Sequence, residues 1–206
     1  MALEYSTPTK IASKAPAFSL PGVDGKTYTL ESFANSKGLL VVFMCNHCPY
    51  VIAIHERLNQ IAKDYAAQGI AVIGINSNDP LYRQDDNFEN MIKTSKEWGL
   101  VFPYVFDESQ QIARDYDAVC TPDPYLYRNV NGNFELHYHG RLDDQWKDES
   151  KVVEKSMRLA IDSLLADAKY EREVFPSMGC SIKWKEQTAQ KLAEKAAKAA
   201  QESKNK

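Results

Sequence analysis

One stretch constrains the fold more than any other. Leu39-Leu40-Val41-Val42-Phe43-Met44 is continuously apolar and runs straight into Cys45-Asn46-His47-Cys48-Pro49. Beyond it, Val51, Ile54, Leu58, Ile61 and Tyr65 recur at helical spacing. A short run with no polar position suits a central strand covered on both faces, and the spacing that follows is that of an amphipathic helix. Ile70 to Ile75 repeats the apolar signal, so the segment reads strand, helix, strand. The two strands are expected to be parallel and joined by a right-handed crossover. An α/β domain built around that unit is the expected fold class.

The neighbouring segments extend it. Phe18-Ser19-Leu20 and Thr27-Tyr28 flank Asp24-Gly25, which predicts a small hairpin capping one edge of the domain. Asp79-Pro80 breaks the chain after the second strand. Phe88, Met91, Ile92 and Trp98 then suggest a helix, and Tyr104-Val105-Phe106 a short strand. Asn131-Gly132 between Tyr125-Leu126-Tyr127 and Phe134 to His139 is a strong turn signal for an antiparallel hairpin. Val153, Met157, Ile161, Leu164 and Ala168 describe a last packed helix. Phe175 to Cys180 reads as an ordered loop, and Thr188 to Lys206 as a solvated or frayed helix with little to bury. The expected organisation is therefore one domain over 1–184, its core at about 12–168 and its segment 170–184 packed on it, then a polar tail over 185–206.

Composition narrows the function classes. The 206 residues are 44% hydrophobic and 26% charged, enough to build a core without covalent staples. A formal net charge of −3 gives no reason to expect nucleic acid or an anionic membrane surface as partner. The longest apolar run falls far short of a membrane span, and Met1 to Lys10 lacks a basic stretch followed by an apolar one, so a cytoplasmic location is expected. Four cysteines are too sparse for a disulfide scaffold, and two of them form Cys45-x-x-Cys48.

The position of that pair carries the chemistry. With Cys45 at the helix cap and Cys48 in the first turn, the two sulfurs would share a face at a separation that a disulfide can span. The free amides at a helix start favour a thiolate. Pro49 fits, because the first turn tolerates a residue with no N–H. His47, if protonated, would further favour the thiolate and make the couple more oxidising; otherwise it is an exposed helix-start residue. A zinc site would want a second close Cys/His pair, and Cys120 and Cys180 stand alone in sequence, so no metal is expected. His137 and His139 share one strand face, read as solvated, and Arg141 is expected to pair with Asp143 and Asp144 at the surface.

On these residues the chain resembles the thioredoxin superfamily, and within it the peroxiredoxin-like branch of alkyl hydroperoxide reductase/thiol-specific antioxidant type. Ala15-Pro16-Ala17-Phe18-Ser19-Leu20 followed by Gly25-Lys26, the Cys-x-x-Cys after a central strand, Thr121-Pro122 before Tyr125 to Tyr127, and Gly140 after the next strand all match. Gly179-Cys180-Ser181-Ile182-Lys183-Trp184 is similar to the tail of a peroxiredoxin-like family carrying the same Cys-Asn-His-Cys-Pro. The resemblance covers about residues 12 to 168 and implies a thioredoxin fold: a central mixed sheet flanked by helices, with an N-terminal hairpin extension and a C-terminal helical tail. It departs from thioredoxin at Met44 and Asn46-His47, and from peroxiredoxins in placing Cys45 where a Thr would orient a peroxide.

The resemblance further implies that Thr121-Pro122 is a cis bond facing the cysteine pair, with Cys120 nearby as small apolar filler or accessory thiol. The expected activity is thiol-disulfide exchange, with Cys45 attacking a substrate disulfide and Cys48 resolving it. The alternative is a thiol-dependent peroxidase, and a rival of another class is a non-catalytic zinc or protein-binding module. No cofactor beyond the cysteine pair is expected, and the partners are a disulfide or peroxide substrate and a thiol reductant. Cys180 is a third thiol of the relay if its segment docks at the helix start, and a buried small residue if it docks elsewhere.

Overall fold

The structure, a computed structural model, describes the backbone of residues 3–204 and the side chains of 3–198 and 201. Residues 1–2 and the end of the expected tail, 205–206, lie outside this range. The central sheet grows outward from β4 (Gly38–Phe43), all six of whose residues are buried. Parallel to it lies β5 (Ile70–Asn76), followed by β6 (Tyr104–Phe106); antiparallel on the other side lie β8 (Asp123–Val130) and β9 (Asn133–His139). The order β6-β5-β4-β8-β9 makes the sheet mixed. The strand period of two divides β4 between two cores. Leu40, Val42 and Met44 face α1 (Pro49–Ala66), α2 (Phe88–Glu97) and α4 (Ser156–Leu165). Leu39, Val41 and Phe43 face Phe18, Leu20, Phe33, Tyr116, Tyr125 and Tyr127.

α1 buries Val51, Ile54, Leu58, Ile61 and Tyr65, the stripe expected from their spacing. The N-terminal hairpin forms from β2 (Ser19–Pro21) and β3 (Thr27–Thr29), and it extends the β6 edge through Val23 N–H to the Tyr104 carbonyl, 2.9 Å. Asn131 and Gly132 take positive φ, 52° and 87°, as a two-residue hairpin turn requires. A short helix, α3 (Gln111–Asp115), packs Ala113 into the second core.

Several expectations are corrected. Val153 is 90% exposed: the last packed helix begins at Ser156, because Asp148 and the 3-10 turn at Glu149–Lys151 occupy the preceding chain, and it ends before Ala168. Phe175 to Cys180 is only partly a loop, since Met178–Ser181 forms β10 between β1 (Leu3–Tyr5) and β7 (Cys120–Thr121). His139 is buried rather than solvated, with Nε2 2.8 Å from Asp123 and Nδ1 2.8 Å from the Thr9 hydroxyl; His137 is half-buried against Ser163. Arg141 pairs with Glu154 and lies over the Phe175 ring, while Asp143 is taken by Arg57. The solvated α5 (Lys185–Lys204) exposes Leu192, in keeping with its weak apolar stripe. Among the described residues no helix is long and apolar enough to cross a membrane.

Candidate functional site

β4 ends at Phe43, and the Met44 N–H still bonds the Ile75 carbonyl at 2.9 Å before the chain turns. Cys48, not Cys45, is the N-cap of α1: it is extended (φ −72°, ψ 122°), Pro49 follows at N1, and its carbonyl accepts from the Ile52 N–H at 2.9 Å. Proline sets this register, since its fixed φ suits the first helical position and its missing N–H costs nothing there. Cys45 is therefore outside the helix, three residues before the cap. Both sulfurs are buried, and none of Cys45, Cys48, Cys120 and Cys180 is in a disulfide.

The cap faces the Thr121-Pro122 peptide, which is cis. Cys45 Sγ lies 3.4 Å from the Thr121 hydroxyl and Cys48 Sγ 3.1 Å from the Thr121 carbonyl oxygen. Cys180, on β10, places its sulfur 3.0 Å from that of Cys48. Cys120 lies on the neighbouring strand, with its sulfur 3.8 Å from the Pro122 carbonyl and 3.9 Å from the Ser177 hydroxyl. The structure thus gathers Cys45, Cys48, Cys180, Thr121 and Pro122, and sets Cys120 to one side.

Electrostatics separates the sulfurs. The Cys45 thiol beside it pulls Cys48 down to about 5 against the opposing effect of burial, with the Cys180 thiol and the Val51 and Cys180 amides adding to the drop. The Thr121 carbonyl works the other way, because it accepts from a neutral thiol and repels a thiolate. Burial, then the Cys48 hydrogen bond and the Asp86 charge, drive Cys45 well above an ordinary thiol. Burial and Cys48 push Cys180 up to about 12, and burial also raises Cys120. Of these sulfurs Cys48 is the one whose surroundings, on balance, favour the thiolate.

His47 is not an exposed helix-start residue. Its side chain is 3% exposed and its Nδ1 lies 2.5 Å from the Asp86 carboxylate. Asp86 also accepts from the Asn46 N–H at 2.8 Å and the Asn78 amide at 2.8 Å. The buried Nε2 has no partner among the described residues. Sequence reasoning missed Asp86, which is 39 residues away in a stretch with no helical or strand periodicity. It also missed Asp123, fully buried beside the cis bond, which binds Ser177, His139 and Tyr125. Cys45, His47 and Asp86 place a sulfur, a ring nitrogen and a carboxylate oxygen within 4.8 Å of one another, donors that suit a soft divalent cation. Metal content after purification is therefore the control for any redox assay.

A groove of about 240 Å³ opens beside Pro122 and Met178, walled by Tyr5, Ile54, Trp146 and Phe175 and edged by Arg141 and Asp144. A cleft of about 300 Å³ lies farther along α1, between Arg57, Asp64 and Arg158, away from the cysteines.

Ultraviolet thiolate absorbance should titrate one sulfur near pH 5 in the reduced protein, and that step should vanish in Cys48→Ser but persist in Cys45→Ser with a raised midpoint. A thiol whose folded pKa lies below its unfolded value of about 8.5 adds stability that is complete above the unfolded pKa and lost as pH falls through the folded one. Reduced wild type should therefore gain stability over Cys48→Ala between about pH 5 and about pH 8, measured by urea denaturation.

Residues 11–134 match the AhpC/TSA family. The crystal structure of a hypothetical protein from Sinorhizobium meliloti is 39% identical with a TM-score of 0.82, covering 87% of this chain and 97% of that one. The thiol-disulfide oxidoreductase ResA of Geobacillus thermodenitrificans is 25% identical over 120 residues, 58% of this chain and 64% of that protein, so the chain spans a little under two thirds of this relative. The thioredoxin domain of a thiol-disulfide oxidoreductase from Bacteroides vulgatus shares the fold at 18% identity and a TM-score of 0.53, over 65% of this chain and 91% of that one. The architecture is a thioredoxin-like fold, as the motifs around Cys45 and Thr121 implied.

Proposed function

The chain belongs to the AhpC/TSA family, and we propose that it is a thiol-disulfide oxidoreductase whose attacking sulfur is Cys48. The observation that carries this reading is Cys48 at the cap of α1 with its charge favoured there, set against a cis-proline loop and flanked by a second thiol, Cys45. A relative named for thiol-disulfide oxidoreduction agrees in class.

The Cys48 thiolate attacks one sulfur of a substrate disulfide, expels the other as a thiolate that takes up a proton, and leaves a mixed disulfide on Cys48. Cys45 then gives up its proton and attacks the Cys48 sulfur. That breaks the mixed disulfide, releases the second substrate thiol and leaves a 45–48 bond. Two protein thiols lose two electrons and the substrate disulfide gains them; a thiol reductant reverses the process. This order is opposite to that expected from the sequence, where Cys45 was placed at the cap. His47, held by Asp86, is a positioning residue, with a ring nitrogen within 4.8 Å of the Cys45 sulfur. Thr121 orients the pair through its hydroxyl and carbonyl. The groove along Pro122 and Met178 is where an apolar stretch of the substrate lies.

Because a lowered thiolate pKa stabilises the reduced state, the 45–48 couple should be more oxidising than an unperturbed dithiol. The test is turnover of a protein disulfide and of hydrogen peroxide side by side with a thiol reductant, on metal-free protein. Disulfide turnover exceeding peroxide turnover supports the reading. Peroxide turnover alone would assign the thiol peroxidase activity instead, and neither, with stoichiometric zinc retained before stripping, would make the cluster a metal-binding site.

A further inference from the structure

Cys180 lies outside the segment that matches the family, at the far end of the chain, and nothing in strand–helix–strand chemistry requires a cysteine there. Its sulfur nevertheless meets that of Cys48 at 3.0 Å, and a further approach of about 1 Å makes a disulfide bond of about 2.05 Å. This contact belongs to a fixed element. β10 is hydrogen-bonded on both sides, with Leu3 opposite Cys180 on one and Thr121 opposite it on the other. The chain just beyond β10 is tied down by Ile182 N–H to the Val119 carbonyl and Asp79 N–H to the Lys183 carbonyl, 2.9 and 2.8 Å.

Gly179 shows how closely β10 is pressed against the cysteine site. A Cβ there would sit 1.9 Å from the Thr121 carbonyl oxygen and 3.0 Å from the Pro122 nitrogen, both backbone atoms that cannot swing aside. Any side chain would lift β10 off the cis-proline loop and carry the Cys180 sulfur away from Cys48. Cys120, one strand over, makes its short contacts to oxygen atoms.

We propose that Cys180 is a second resolving thiol for Cys48, so that the 45–48 and 48–180 disulfides are alternative oxidised states sharing one sulfur. This rests on the reading of Cys48 as the attacking sulfur. Once a substrate disulfide has placed a mixed disulfide on Cys48, the Cys180 thiol loses its proton to the departing thiolate or to solvent and attacks the Cys48 sulfur. The mixed disulfide breaks, the second substrate thiol leaves, and the 48–180 bond forms; two electrons pass from Cys48 and Cys180 to the substrate. Cys45 can then attack Cys48 in turn, expelling Cys180 as a thiolate and forming the 45–48 bond. The 48–180 state ties the start of α1 to the strand that carries Met178 and pairs with Tyr5, two walls of the groove beside Pro122.

The full chain with Cys45→Ser, reduced and then treated with one equivalent of oxidised glutathione, tests this. Acid quenching and peptide mapping should find the 48–180 cross-link and two glutathione thiols released per protein. A lasting glutathione adduct on Cys48, with Cys180 still open to alkylation in the denatured quenched protein, would overturn it. Gly179→Ala added to Cys45→Ser should slow cross-linking at least tenfold while the adduct on Cys48 still forms; cross-linking at an unchanged rate would remove the geometric basis of the relay. If Cys45→Ser does not fold, a rapid-quench time course of wild type under limiting oxidant serves: a 48–180 peptide is expected before or beside the 45–48 one, and 45–48 alone at every time overturns the relay without touching the proposed function. Wild type that forms no adduct and no disulfide at all would overturn both.

Discussion

Cys48→Ser should lower disulfide turnover at least about a thousandfold, because it removes the sulfur that every step passes through. No other group in the site replaces it. Cys45 is outside the helix and has lost the benefit of the cap, and burial with the Asp86 charge holds it protonated. Cys180 is likewise held protonated, by its own burial and by the sulfur beside it. Cys45→Ser should behave differently: the first attack survives, so a mixed disulfide still forms on Cys48, and only its resolution is altered. Steady-state turnover with both variants, together with the stoichiometry of bound substrate thiol, separates the two roles. Equal losses of turnover and of adduct formation in the two variants would mean that the sulfurs are not divided in this way.

Arg57→Ala should destabilise the domain by about 3–5 kcal/mol, since it leaves a buried carboxylate without its cation. Arg57 is buried on α1 and bonds Asp143, the Gln145 and Trp146 carbonyls, and the Ala53 carbonyl of its own helix. It thereby fastens the loop over 143–146 to the helix that begins at Cys48. Trp146 on that loop packs against Tyr50, with ring centroids 4.2 Å apart, and forms a wall of the groove beside Pro122. Burial raises the Asp143 carboxyl more strongly than Arg57 lowers it, which marks the pair as costly to bury even when intact. Arg57→Met with Asp143→Leu should therefore recover much of the loss, as replacing a buried ion pair by apolar groups often does. Urea denaturation of the single and double variants measures both. A single variant within about 1 kcal/mol of wild type would show that the pair is not desolvated in solution.

The unit that positions the site was legible because its signals are local and strong. The run over 39–44 and the stripe Val51, Ile54, Leu58, Ile61 and Tyr65 each follow one period, and burial on both faces of β4 follows from the absence of any polar residue in it. Asn131-Gly132 was equally clear, because both residues must adopt positive φ in that turn. The pairing of β1 with β10 was not legible. Three residues meet four across more than 170 positions, and strands this short show no alternation to read. Cys180 therefore looked isolated, although it is the sulfur that Cys48 touches. Asp86 was hidden for a related reason. A buried carboxylate is distinguished by what it bonds, and its partners come from two loops far apart in sequence, Asn46 and His47 from one and Asn78 from the other. The same holds for His139, whose place in an alternating strand suggested solvent until Thr9 and Asp123 are seen to close over it. The register of the helix start was misjudged by three residues because Cys45 and Cys48 are chemically equal as caps, and Pro49 decides between them.

The assignment of Cys48 as the attacking sulfur is tested most directly by single-hit trapping in two proteins that each keep one of the pair: Cys45→Ser with Cys180→Ser, and Cys48→Ser with Cys180→Ser. Each is exposed near neutral pH to a small asymmetric disulfide, quenched with acid, and followed by mass spectrometry for the rate of mixed-disulfide formation. The expected result is faster adduct formation on Cys48 in the first protein than on Cys45 in the second, because a serine hydroxyl at 45 can still donate to the Cys48 thiolate while burial and the Asp86 charge still hold Cys45 protonated. Faster modification of Cys45 than of Cys48 would contradict it and restore the order in which Cys45 attacks and Cys48 resolves.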